Sequence, residues 1–142
     1  MKNKIFVDSN IWIYLFTSDD VAKNELARNF IADSTAKGNI FVITYQVINE
    51  VCAVLKRKKK FNEGEIQFII DTMLELCVMQ DFSREILIKA SILRDKMLVS
   101  YWDSIIITAA IESGCKLLTS EDLQNGQKIQ GIVVVNIFES YS

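Results

Sequence analysis

Five carboxylates stand where a bound ion could use them. Asp8 follows directly on the apolar run Ile5-Phe6-Val7, and Glu121 and Asp122 follow Leu117-Leu118-Thr119-Ser120. Two more fall within helical patterns. Glu50 lies on the flank of a stripe made by Val47, Val51, Val54 and Leu55, and Asp103 opens a segment, Trp102 to Ile111, that is apolar nearly all the way round. Each acid has an ordinary structural use. Asp8 could cap a helix, Glu50 could lie at the edge of a helix interface, Asp103 could complete a Ser100-x-x-Asp103 capping box, and Glu121-Asp122 could be a solvated turn. As a set they are harder to place, because several carboxylates in one low-dielectric cleft repel each other. A divalent cation removes that cost, and an all-oxygen donor set suits Mg²⁺ or Mn²⁺ rather than a soft metal.

The rest of the composition narrows the chemistry. The 142 residues include no histidine and three cysteines, Cys52, Cys77 and Cys115, which are far apart and set among apolar neighbours. That excludes His/Cys zinc sites and any nucleophile that depends on a histidine base. The cysteines read as reduced core residues of a cytoplasmic protein. Half the residues are hydrophobic and 24% are charged, a globular composition that excludes disorder as the main state. Sixteen basic against eighteen acidic residues leave a net charge of −2, which argues against a non-specific DNA coater. No apolar run reaches the roughly 18 residues of a membrane span, and Asp8 interrupts the N-terminal segment before it could serve as a secretory signal.

The acids must be held by elements, and the elements alternate. Lys4 to Val7 and Ile40 to Ile43 read as buried strands, with Cys77 to Met79, Lys116 to Thr119 and Ile132 to Val135 as three more. Between them lie helices: one that Ser9 could cap, then about Val21 to Ala36, Tyr45 to Lys59 behind Thr44, Glu63 to Leu76, Ser83 to Met97, and Trp102 to Ser113. Gly38 and Gly114 stand where helix-terminating glycines belong. The strands are continuously apolar rather than alternating, the pattern of a parallel sheet covered on both faces. The expected fold is a single domain spanning 1–142, a three-layer α/β/α sandwich with about five parallel strands. In such a sheet ligands bind beyond the carboxyl ends of the strands, where Asp8, Glu121 and Asp122 fall.

On these residues the chain resembles the PIN domain, and within it the VapC-type toxin ribonucleases of toxin–antitoxin pairs. The matching pieces are IFVDSNIWIY at 5–14, YQVINEV at 45–51, YWDSII with Ala109-Ala110 at 101–110, and LLTSEDLQNGQ at 117–127, in order along the chain. The resemblance implies a Mg²⁺ or Mn²⁺ site at which activated water cleaves a phosphodiester of single-stranded or looped RNA. It places Asp8, Glu50 and Asp103 as three central acids. The fourth stays open: a threonine-x-acid pattern selects Glu121, whereas an S-E-D-L-Q pattern selects Asp122. Ser9 and Asn10 match a polar pair that could orient water, and Ser104 and Thr119 could support the acids from behind. The resemblance also implies a small antitoxin partner and a homodimer.

A basic run, Lys56-Arg57-Lys58-Lys59-Lys60, ends the helix that carries Glu50. Cations are favoured at any helix C-terminus. Yet Gln46, Glu50, Ala53 and Arg57 share one stripe, so Arg57 and, beyond it, Lys60 are candidates for contact with an RNA backbone. Tyr14, Phe16 and Tyr101 are candidate base-stacking residues, although aromatics near helices more often pack in the core. The phosphatase signature D-x-D and the phosphate-binding glycine loop are both absent. The competing reading is a catalytically silent PIN-like module that binds RNA or protein.

Overall fold

The structure is a computed structural model and describes residues 2–139. Its strands form one sheet in the order β3-β2-β1-β4-β6-β5. Here β1 is Lys4–Val7, β2 Ile40–Ile43, β3 Cys77–Met79, β4 Leu117–Thr119, β5 Lys128–Ile129 and β6 Ile132–Val135. All neighbouring pairs are parallel except β5 and β6. Central β1 pairs with β2 on one side and β4 on the other, so Phe6 lies between Val42 and Leu118. All three side chains are fully buried, which is what a continuous apolar run in a doubly covered sheet requires.

The helices are α1 Ser9–Phe16, α2 Val21–Ala36, α3 Tyr45–Arg57, α4 Glu63–Leu76, α5 Arg84–Lys96 and α6 Tyr101–Glu112. The path β1 to β2 to β3 moves outward one way, and β3 to β4 returns across it. Right-handed crossovers therefore put α1 to α4 on one face and α5 with α6 on the other. Packing follows suit: α1 meets α2 and α3, α3 meets α4, and α5 meets α6. Helix α6 is buried continuously from Ser104 to Ala110, matching its apolar circumference. Gly38 and Gly114 follow α2 and α6 with φ of 76° and 79°, the left-handed stop expected of them.

Three details differ from the expected layout. The reading of five strands omits β5, a two-residue strand too short to show any periodicity. It leads into β6 through Gln130 and Gly131, both with positive φ, the geometry of a tight hairpin turn. Helix α1 is capped by Asp8, not Ser9: the Asp8 carboxylate accepts from the Ser9 N–H. Helix α3 stops at Arg57, two residues early, and Lys60 then takes a left-handed φ of 59°. The cysteines are free; Cys115 is buried, while Cys52 and Cys77 are half-buried against the core. No described helix is long and apolar enough to cross a membrane.

Candidate metal centre

The order in which strands are added reverses between β1 and β4, and the candidate acids lie toward the carboxyl ends of these two parallel strands. In-register pairing of Val7 with Thr119 brings the next residues, Asp8 and Ser120, opposite each other. The Asp8 N–H donates to the Thr119 carbonyl at 3.0 Å, which fixes the two strand ends together. Asp8 is only 3% exposed. Its Oδ1 accepts from the Ser9 N–H at 2.7 Å and its Oδ2 from the Ser120 hydroxyl at 2.8 Å. Burial pushes the Asp8 carboxyl up to about 6; these two hydrogen bonds oppose the rise, and the nearby charges of Glu50 and Asp122 add to it.

Glu50 reaches the same place from α3. Thr44 caps that helix, accepting from the Val47 N–H at 3.3 Å, and so sets the angular position of every residue on it. Glu50 Oε2 accepts from the Ser9 hydroxyl at 3.0 Å, and Oε1 from the Gln46 amide one turn earlier at 3.2 Å. Because Asp8 takes over the capping of α1, the Ser9 hydroxyl is free to serve Glu50. Asn10 joins the next strand end: its amide donates to Asp122 Oδ2 at 3.2 Å and its carbonyl oxygen accepts from the Glu121 N–H at 3.4 Å.

The two adjacent acids after β4 face different surroundings. Glu121 is bound on both oxygens, by the Tyr14 hydroxyl at 3.1 Å and by an ion pair with Lys23. Lys23 also donates to the Tyr14 hydroxyl at 3.2 Å and lies over the Tyr14 and Phe138 rings. The Glu121 carboxylate, and after it Tyr14, hold the Lys23 ammonium above its usual range. Among the described residues no cation pairs with Asp122. Its carboxyl is raised by partial loss of water and then by Asp103, Glu121 and Glu50, with Asn10 opposing. Asp122 is thus within electrostatic reach of Asp8, Glu50 and Asp103, acids of three other segments.

Asp103 lies in the first turn of α6, half-exposed. Its N–H donates to the Ser100 hydroxyl at 3.1 Å, so half of the expected capping box forms. Among the described residues no return bond from the Ser100 N–H to the Asp103 carboxylate is present, in contrast to the complete box of Asn62 and Glu65 on α4. The carboxylate therefore remains available on the side of Asp122.

Other candidates do different work. The Thr119 hydroxyl donates to the Phe6 carbonyl at 3.0 Å, inside the sheet. The Ser104 hydroxyl donates to the Tyr101 carbonyl at 2.5 Å and accepts from Arg94 at 2.7 Å. Phe16 stacks on Trp12, and Tyr14 packs edge-on against Phe138. Arg57 is exposed near the end of α3, while Lys60 lines a cleft with Phe16 to Asp19, where Lys59 pairs with Asp19. Ser120 escaped the sequence reading, and so did the Lys23–Tyr14 clasp on Glu121. The available signal for Ser120 was a small hydroxyl directly after β4, level with Asp8 after β1.

In donor chemistry the pocket fits a hard divalent cation: the acids offer only oxygen, and buried Asp8 is an uncomfortable anion without a countercharge. Among the described residues, no three carboxylate or thiol side chains are already arranged to hold a metal ion. Mutual repulsion and the separate hydrogen bonds on Asp8, Glu50 and Asp122 oppose such a closed arrangement.

Among curated proteins none matches the sequence. Three solved structures share the fold. The sarcin–ricin-loop-cleaving toxin VapC20 of Mycobacterium tuberculosis aligns at a TM-score of 0.65 and 17% identity, over 80% of this chain and 86% of that one. VapBC2 of Rickettsia felis, bound to a DNA fragment from its promoter, aligns at 0.63 and 20%, over 92% and 96%. A toxin–antitoxin complex of Klebsiella pneumoniae aligns at 0.66 and 20%, over 94% and 97%. A family model described as the PIN domain matches residues 5–125, taking in every one of the five acids, and the chain belongs to the PIN domain family.

Proposed function

We propose that the protein is a Mg²⁺- or Mn²⁺-dependent endoribonuclease and the toxin of a toxin–antitoxin pair. The observation that carries this reading is that Asp8, Glu50 and Asp103, from three separate segments, all lie within electrostatic reach of Asp122 beyond the carboxyl ends of β1 and β4, where the strand order reverses. The likeness to a sarcin–ricin-loop-cleaving toxin and to toxin–antitoxin complexes supports it. Asp122 is the fourth acid in this reading, because Glu121 is already neutralised by Lys23.

Three of the four acids have a holder. Ser120 and the Ser9 N–H fix both oxygens of Asp8, Ser9 and Gln46 fix Glu50, and Asn10 fixes Asp122. A divalent cation bound among them would lower the pKa of water and stabilise negative charge on the phosphate. Arg57 and Lys60 would draw the RNA backbone toward an otherwise acidic surface. The natural partners are a single-stranded or looped RNA, a small antitoxin and a second copy of the chain.

The test compares wild type with Asp103→Asn on a structured RNA, with Mg²⁺ or Mn²⁺ and with EDTA. Asparagine keeps the shape but removes the charge, so cleavage should fall at least a hundredfold while the far-ultraviolet spectrum stays unchanged. Equal cleavage by both proteins, or cleavage indifferent to EDTA, would leave a silent binding module as the correct reading.

A further inference from the structure

An aromatic pair stands open to solvent immediately before Asp103. Tyr101 is 53% and Trp102 56% exposed, an unusual state for two such large rings in the first turn of an otherwise buried helix. They meet edge-on, with centroids 5.3 Å apart. The guanidinium of Arg94, from α5, lies 4.3 Å from the centre of the Tyr101 ring. It is held there by its bond to Ser104, whose hydroxyl in turn anchors the Tyr101 carbonyl. Arg94 is therefore positioned before any ligand arrives. Among the described residues it makes no ion pair, and its partners are the Ser104 hydroxyl and the Tyr101 ring.

A fixed cation without a counter-anion, stacked on one ring of an exposed aromatic pair, matches two parts of one ligand. The rings offer flat apolar faces to a nucleobase, and the guanidinium offers donors to a phosphate. A purely apolar partner would use the rings but strand the cation. We propose that Arg94, Tyr101 and Trp102 form a platform that holds an unpaired nucleotide of the RNA beside the acidic pocket. This rests on the ribonuclease reading of that pocket. Trp102 and Asp103 share the first turn of α6, so a nucleotide held on the platform lies at the same helix end as the Asp103 carboxylate. These three residues position substrate and select for unpaired bases, since a base inside a duplex has no free face to offer.

The molecule supplies its own reporter. Of its two tryptophans, Trp12 is fully buried and Trp102 is half-exposed. A single-stranded oligoribonucleotide of mixed sequence, titrated into the full chain in EDTA, should quench the Trp102 emission and leave that of Trp12. Trp102→Phe should lose the quench yet bind nearly as well, since a ring remains. Trp102→Leu should bind about 5- to 150-fold more weakly, the loss expected for one stacked base. That penalty should vanish on an abasic chain of equal length. Arg94→Gln should lower the slope of log affinity against log salt by about 0.7, one phosphate contact on a single strand. Unquenched emission, with wild-type affinity in Trp102→Leu and an unchanged salt slope in Arg94→Gln, would overturn the platform. So would Trp102 emission that responds to protein dilution and not to RNA, which would mean a second copy covers the rings. Quenching with the expected variant effects, but no cleavage of any RNA with Mg²⁺ or Mn²⁺, would uphold the platform and overturn the nuclease reading alone.

Discussion

The Ser120 hydroxyl donates to Asp8 Oδ2 at 2.8 Å, joining the ends of two neighbouring parallel strands with both side chains buried. The same hydroxyl oxygen accepts from the Asp122 N–H at 3.2 Å. One small side chain thus fixes one acid directly and the backbone of a second. Ser120→Ala should weaken Mg²⁺ or Mn²⁺ binding about 10-fold or more, the usual cost of losing a group that orients a ligand. Titration calorimetry checks this. Unaltered affinity would show that Ser120 serves only the fold.

Asp8 makes the metal-free protein sensitive to pH. Its carboxyl is raised from an ordinary 3.8 to about 6, so between these values the folded chain holds a proton that the unfolded chain releases. The associated stability is fully present below pH 4 and is lost as pH rises through 6. Relative to Asp8→Asn, the wild type should therefore lose on the order of 2–3 kcal/mol across that window. Denaturant melts of both proteins in EDTA, at steps from pH 4 to 7, measure the difference. A constant difference would refute the assignment.

Addition of the cation should reverse that cost. At about a hundredfold excess over its dissociation constant, Mg²⁺ or Mn²⁺ should stabilise the wild type by about 2.7 kcal/mol and raise Tm by several degrees. EDTA should cancel the shift, and Asp8→Asn should show much less of it. Thermal melts with and without the ion decide the matter.

Adjacent acids should behave oppositely. Asp122→Asn should cut cleavage at least a hundredfold with little change in stability. Glu121→Gln should retain most cleavage and lose roughly 1 kcal/mol of stability, because it breaks a partly exposed ion pair with Lys23. Single-turnover cleavage and melts of the two variants would distinguish them. Loss of cleavage in Glu121→Gln alone would make Glu121 the fourth acid.

Much of the fold was legible along the chain because its causes are local. Continuous apolar runs such as Ile5-Phe6-Val7 and Ile132-Val133-Val134-Val135 mark buried strands, and Thr44, Ser83, Ser100 and the helix-ending glycines punctuate the helices within a few residues. The ordered acids Asp8, Glu50 and Asp103 stood out for the same reason, as charges at the edges of apolar patterns. Partner choice was another matter. Where the Ser9 hydroxyl goes, and why Lys23 takes Glu121 while Asn10 takes Asp122, depend on contacts across 41 to 112 positions of sequence. The register of β1 on β4 and the packing of α1 against α2 and α3 set those contacts. Ser104 shows the limit most plainly: its neighbour Asp103 suggested a role at the acids, but helix α6 turns its hydroxyl toward Arg94. Sequence spacing specifies the face a residue occupies, and only the tertiary packing specifies what stands opposite that face.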